Sequence, residues 1–134
     1  MNSKIFVSMP MHEKKVEELT PNLELVYKAI NSVWTDRKMI PNRPYFKGVF
    51  GGNCELVHTI NDGELNSDDV YEPRLLYLSR AINKLAYCNL LILCPGWSKA
   101  NGCNVEFTAA ACYHIPVFEI YFDDGNPKLR QLVG

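Results

Sequence analysis

The sequence predicts an α/β protein, a three-layer sandwich with a mainly parallel sheet at its centre. Three observations carry that prediction. Residues 89–94, NLLILC, are apolar on both faces of an extended chain and too short for a buried helix, the pattern of a central parallel strand. Two other short apolar runs, KIFVSMP at 4–10 and IPVFEIYF at 115–122, also read as strands. Between these runs lie segments whose apolar residues recur every three or four positions, so strand and helix alternate. The chain of 134 residues has the length of one domain, 1–134, and its 47% of hydrophobic residues suffice for a core.

The elements follow in order. The first strand is closed by Pro10. Residues 13–34 read as helix, with Val16, Leu19, Leu23, Val26, Ile30 and Val33 at helical spacing; Pro21 after Thr20 introduces either a kink or a division into two short helices. Residues 35–66 hold a strand or two around Gly51-Gly52, with no register fixed, and end in the turn-rich NDGELNSDD. A second helix runs through YEPRLLYLSRAINKLAYC, with Ser67, Asp68 or Asp69 as cap, Pro73 in the first turn, and Leu75, Leu78, Ile82, Leu85 and Ala86 as its apolar stripe. After the central strand, a third helix starts near Asn101-Gly102 and ends near His114, and its Ala109-Ala110-Ala111 permits close packing on a sheet. The last segment, DDGNPKLRQLVG, reads as a polar tail with one helical turn at most.

Bulk composition excludes several classes. The 14 basic and 15 acidic residues are spread along the chain and form no basic stripe, so binding to a nucleic-acid polymer is not expected. No stretch approaches ~18 consecutive apolar residues, so no membrane partner is expected. The beginning, MNSKIFVSMPM, lacks the apolar centre and cleavage site of a signal peptide, and a cytoplasmic protein is the expectation. The 5 cysteines contain no CxxC pair and read as reduced, mostly buried thiols; the 3 histidines are far apart, and no metal or cofactor is expected.

Ligands of parallel sheets bind beyond the carboxyl ends of the strands. Two loops of this chain fall there: Ser8-Met9-Pro10-Met11-His12 after the first strand, and Pro95 to Asn104 after the central one. The second delivers Glu106 into the first turns of an otherwise apolar helix. Unpaired backbone N–H groups and the helix dipole favour a carboxylate anion there. Such an anion can attack an anomeric carbon, whose transition state is electron-poor. An acidic residue in that position also serves simply as a dipole partner on a solvated face, and both readings stay open on spacing alone. Gly96 and Gly102 permit close backbone approach, and Trp97 either walls a pocket or packs. There is no GxGxxG and no GxxxxGK[ST], so the usual dinucleotide and P-loop sites are not expected.

The segments KIFVSMPM and YLSRAINKLAYCNLLILCPGWSKANGCNVEFTAAACYHIPV resemble the nucleoside 2-deoxyribosyltransferase-like superfamily, in its small bacterial and phage branch. The resemblance covers residues 4–12 and 77–118, and rests on Ser8-Met9-Pro10-Met11, Gly96-Trp97, Ala100, Gly102-Cys103, Glu106, Ala110 and Ile115-Pro116-Val117. It implies a flavodoxin-like fold and cleavage or exchange of the N-glycosidic bond of a nucleoside or nucleotide. Glu106 would be the nucleophile at C1′. Ser8, with Met9 and Pro10 beside it, would contact base or phosphate, while Gly96, Trp97, Ser98, Gly102 and Asn104 would line the sugar and phosphate side. A homo-oligomer, dimer or higher, is implied too, with a neighbour completing the pocket. Two carboxylates of the well-studied transferases are absent: their positions are held by Ala81 and Ala100. A departing base then has no evident acid. The alternative is a module that binds a nucleotide, or a signal derived from one, without cleaving it.

Overall fold

The computed structural model describes residues 3–11, 14–35, 54–60 and 74–134. The strands expected around Gly51-Gly52 apart from the one at 54–57, and the caps expected at Ser67, Asp68 or Asp69, lie outside those residues, as do His12 and Pro73.

Among the described residues, five strands form one sheet: β1 (Ser3–Ser8), β2 (Cys54–Val57), β3 (Leu90–Leu93), β4 (Val117–Asp123) and β5 (Asn126–Val133), in the order β2-β1-β3-β4-β5. β1 is parallel to β2 and β3, β3 is parallel to β4, and only β4–β5 is antiparallel. The protein is therefore of the α/β class with a mostly parallel sheet. β3 has all four side chains buried, as a central strand flanked by helices on both faces must. Ile5, Val7, Leu90, Ile92, Phe118 and Ile120 face one buried cluster, while Phe6, Leu91, Leu93 and Val117 face the other. This is the period of two, read off three adjacent strands.

The helical segment 13–34 divides at Thr20-Pro21 into α1 (Val16–Leu19) and α2 (Pro21–Thr35). The Glu18 carboxylate accepts the Lys15 backbone N–H at 3.1 Å and closes the first turn. Leu19, Val26 and Ile30 of the expected stripe are buried in the first cluster, whereas Val16, at the start of α1, is exposed. α2 also packs against β5.

On the opposite face lie α3 (Arg74–Leu85) and α4 (Asn101–Cys112), packed side by side. The buried line of α3 is Tyr77, Ala81 and Leu85 rather than one starting at Leu75, which is 72% exposed. The buried line is thus turned from the expected stripe and passes through small Ala81, which is 5% exposed. α4 begins where expected and stops two residues early; Ala110 is its fully buried contact, and His114 then turns the chain with a φ of 64°.

The expectation of a polar tail is corrected: residues 126–133 form β5, paired antiparallel with the whole of β4. Asp124 and Gly125 have φ of 54° and 80°, the double positive φ of a two-residue hairpin turn whose twist suits the flanking strands. Leu129 is fully buried under α2, while Lys128 pairs with Asp123 at 3.5 Å and Arg130 with Glu119 at 3.4 Å. The charged residues that made the segment look like a tail occupy one exposed edge of a strand.

Candidate functional site

β1 and β3 are neighbours, although the chain runs from β1 to β2 on one side before returning to β3 on the other. Their carboxyl ends therefore border the point at which strand order reverses. The junction is pinned at both ends. Lys4 N–H donates to Asn89 Oδ1 at 2.9 Å and Asn89 N–H to the Lys4 carbonyl at 2.7 Å; beyond the strands, Cys94 N–H donates to the Ser8 carbonyl at 2.8 Å. The chain then turns through Gly96, whose φ of 87° is costly for any residue with a Cβ, into a single 3₁₀ turn at Trp97–Lys99. Ala100 caps α4, and Asn104 N–H donates to its carbonyl at 3.1 Å.

This path brings Ser8 and Glu106 together across 98 residues of sequence. Ser8 Oγ–H donates to Glu106 Oε1 at 2.6 Å, and the two are the buried polar residues of the described chain, at 1% and 7% exposure. Even Ser8 on β1 and Cys103 and Glu106 on α4 meet for a periodic reason. Ser8 shares the face of Phe6, and Cys103, Glu106 and Ala110 lie along the one buried face of α4 at spacings of three and four.

One detail of the sequence reading is corrected here. Glu106 is the sixth residue of α4, beyond the first turn, which contains no acidic residue. Free N–H groups at the helix start do not hold its carboxylate; a side chain from the neighbouring strand does. Nor is Glu106 a dipole partner on a solvated face, for it is buried.

Cys103, one turn earlier, is a neighbour of both. Burial pushes its thiol up to about 12; the Glu106 carboxylate adds to the rise, and hydrogen bonding from Ser8 opposes it. Cys94 at the end of β3 is likewise pushed up to about 12, by burial first and by Cys103 second. Both thiols stay protonated through the neutral range, which makes them inert as nucleophiles.

The other residues expected at the site divide by position. Pro10 meets the loop after β3: a Cβ added at Gly96 would sit 3.5 Å from its Cγ. Met9 turns to the other face and is buried in the first cluster, where Asn22 Nδ2 approaches its sulfur at 3.8 Å. Trp97 stacks on Phe107 with centroids 5.2 Å apart and 9° between planes, and its Nε1–H donates to Glu119 Oε1 at 3.4 Å. Asn104 ties the loop to the helix through Nδ2, donating to the carbonyls of Ser98 at 3.0 Å and Ala100 at 2.9 Å. Ser98 is exposed, and Gly102 is half-buried beside Leu78. Cys103, read from the sequence as a buried thiol and as part of the Gly102-Cys103 pair in the resemblance, is 2% exposed and lies at a spacing of three from Glu106.

A hollow of about 580 Å³ runs along β5, lined by Tyr121, Arg130, Gln131 and Gly134 among others, and none of the expected site residues lines it. Among the described residues, no group of His, Cys, Asp and Glu is placed to hold a metal ion, and no helix is long and apolar enough to cross a membrane.

Fold and site together define an α/β protein with a hydroxyl-bound acid buried where its strand order reverses. Compared with known proteins, the chain matches no family model, no curated protein and no solved structure.

Proposed function

We propose that this chain cleaves or exchanges the N-glycosidic bond of a deoxynucleoside or nucleotide, with Glu106 as nucleophile. The observation that supports the reading is the 2.6 Å bond from Ser8 to the buried Glu106 at the β1–β3 junction, a hydrogen-bonded acid at the end of the sheet where ligands of parallel sheets bind. A carboxylate oxygen attacks C1′, the C1′–N bond breaks, and its electron pair leaves with the base, which takes up a proton. Water or a second base then opens the sugar ester and restores the carboxylate. The strand order supports a flavodoxin-like, three-layer arrangement, and the buried clusters on both faces are consistent with it. The free thiols among the described cysteines fit a cytoplasmic location. Exposed Leu75, Leu76 and Val105 on the paired helices α3 and α4 fit a homo-oligomer.

The test is chromatographic. Incubation with common deoxynucleosides and their 5′-monophosphates should release free base, and Glu106→Ala should lower that rate at least about a thousandfold while the far-ultraviolet circular dichroism is unchanged. Wild-type protein that releases no base from any of them sinks the catalytic reading.

A second reading, ligand binding without cleavage, draws on Ala81. It is 5% exposed within an apolar cluster with Leu85 and Cys88, a setting that supplies no acid for a departing base. A nucleotide that raises the melting temperature and is recovered intact would favour it.

A further inference from the structure

We propose that Tyr77 is a further catalytic residue: its hydroxyl, on the first turn of α3 at the ligand end of the sheet, gives the departing base its proton. The inference rests on the cleavage reading with Glu106 as nucleophile, and the two fail in different measurements.

A base that leaves C1′ carries an electron pair away and needs a proton. Three donors at this end of the sheet are already engaged: Ser8 Oγ–H donates to Glu106, Trp97 Nε1–H to Glu119, and Asn104 Nδ2 to the carbonyls of Ser98 and Ala100. Tyr77 stands close by. α4 begins beyond the carboxyl end of β3, and a Cβ added at its second residue, Gly102, would meet Leu78 Cδ1 at 4.0 Å. The first turns of α3 and α4 are therefore neighbours at the end where parallel sheets bind ligands. In that turn of α3, Leu75 and Leu76 are 72% and 44% exposed and Tyr77 is 8% exposed, so the tyrosine is directed inward. One and two turns along the same buried line, Ala81 and Leu85 join the apolar cluster that holds Phe6 and Cys103. Tyr77 joins neither cluster, the one buried hydrophobic or aromatic residue of the described chain that does not. Its ring lies under the Arg80 guanidinium, 5.2 Å from centroid to carbon. A phenol ordinarily ionises near pH ~10 and carries its proton at neutral pH, and a cation beside it favours the phenolate left when that proton is given up. The Tyr77 O–H bond breaks as the C1′–N bond does, and the proton goes to the nitrogen that receives the electron pair. The phenolate regains a proton from water, or from the N–H of a second base, when either opens the sugar ester.

The experiment compares two leaving groups on the full-length protein: the deoxynucleoside that the wild type cleaves fastest, and 4-nitrophenyl 2-deoxyribofuranoside, whose phenolate departs without a proton. Tyr77→Phe keeps the ring and removes only the hydroxyl. It should lower kcat on the deoxynucleoside about a hundredfold or more and leave kcat on the nitrophenyl glycoside within about threefold of wild type. Glu106→Ala should lower both. Equal changes on the two substrates, whether none or large, overturn the proposal, because a merely structural tyrosine does not distinguish leaving groups. Should Tyr77→Phe fail to fold, wild-type protein with deoxyribosides of graded leaving-group acidity decides: a rate that varies little along the series supports a donor in the protein, and a steep dependence overturns it. A wild type that releases nitrophenol but no base keeps the nucleophile and overturns the acid. Base release undiminished in Tyr77→Phe likewise removes this inference alone, whereas a wild type that releases neither product removes the cleavage reading and this inference with it.

Discussion

The β1–β3 junction and the β4–β5 hairpin handle polar groups in opposite ways. At the junction one hydroxyl and one carboxylate are buried together, at 1% and 7% exposure. Along the hairpin each ion pair keeps one member in solvent: the side chains of Asp123 and Arg130 are 63% and 56% exposed, their partners Lys128 and Glu119 25% and 21%, and Arg130 also stacks over Tyr121 at 4.6 Å. Exposed pairs gain little, because water solvates each partner nearly as well as the other does. A buried carboxylate has no such substitute, so its partner matters more. The hairpin's strand is attached by its ladder to β4 and by apolar residues, fully buried Leu129 on one face and partly buried Leu132 and Val133 on the other. The junction's polar pair has a cost, and a cost at a sheet's ligand-binding end is what a functional group looks like.

Four substitutions break or sharpen that contrast. Leu129→Ala should have the largest effect, about 2–5 kcal/mol in urea unfolding, because a fully buried anchor of β5 against α2 is lost; a loss below 1 kcal/mol would return residues 126–133 to the status of a tail. Ser8→Ala should cost about 1–3 kcal/mol, the penalty of removing a donor from a buried acceptor, against well under 1 kcal/mol for the same change at exposed Ser98. The buried thiols set the next effect. Cys88, Cys94 and Cys103 have folded-state values raised to about 11, 12 and 12 from an ordinary 9.0. Below pH 9 both states hold the thiol protons and this contribution is fully present. Above it the unfolded chain ionises first, so stability falls as pH climbs towards the folded-state values, at about 1.4 kcal/mol per pH unit for each thiol. Cys94→Ala should remove one thiol's share of that slope; an unaltered slope would mean that Cys94 ionises in the folded protein. Arg130→Ala, at the hairpin, should change stability by less than about 1 kcal/mol.

How much of this was legible in the sequence depended on how local the signal was. The fully apolar run at β3, the Pro21 break and the start of α4 near Asn101 all follow from a few adjacent residues, and all were read correctly. The hairpin was missed because Pro127, Lys128, Arg130 and Gln131 hide the alternation of a strand that is covered on one face only, yet Asp124-Gly125 was a two-residue turn signal between IYF and a second extended run. The α3 stripe was misplaced by a fraction of a turn, because Ala81, which is buried, carries little weight in a hydrophobic pattern. At the site, both Ser8 and Glu106 were singled out, but not their contact, since that contact depends on a register between β1 and β3 that no local pattern encodes. Asn104 and Trp97, expected on the sugar and phosphate side, each also have an intramolecular partner that no local pattern announced.

The seam between β1 and β3 has a consequence for how the molecule is made. The Lys4–Asn89 bond spans 85 residues of chain, and the Ser8–Glu106 bond spans 98. During synthesis, the opening strand leaves the ribosome long before its central mate does, and the acid's cradle stays unbuilt until α4 has followed. The centre of this sheet can close only once some two thirds of the chain has been made, about the point at which β3 is complete.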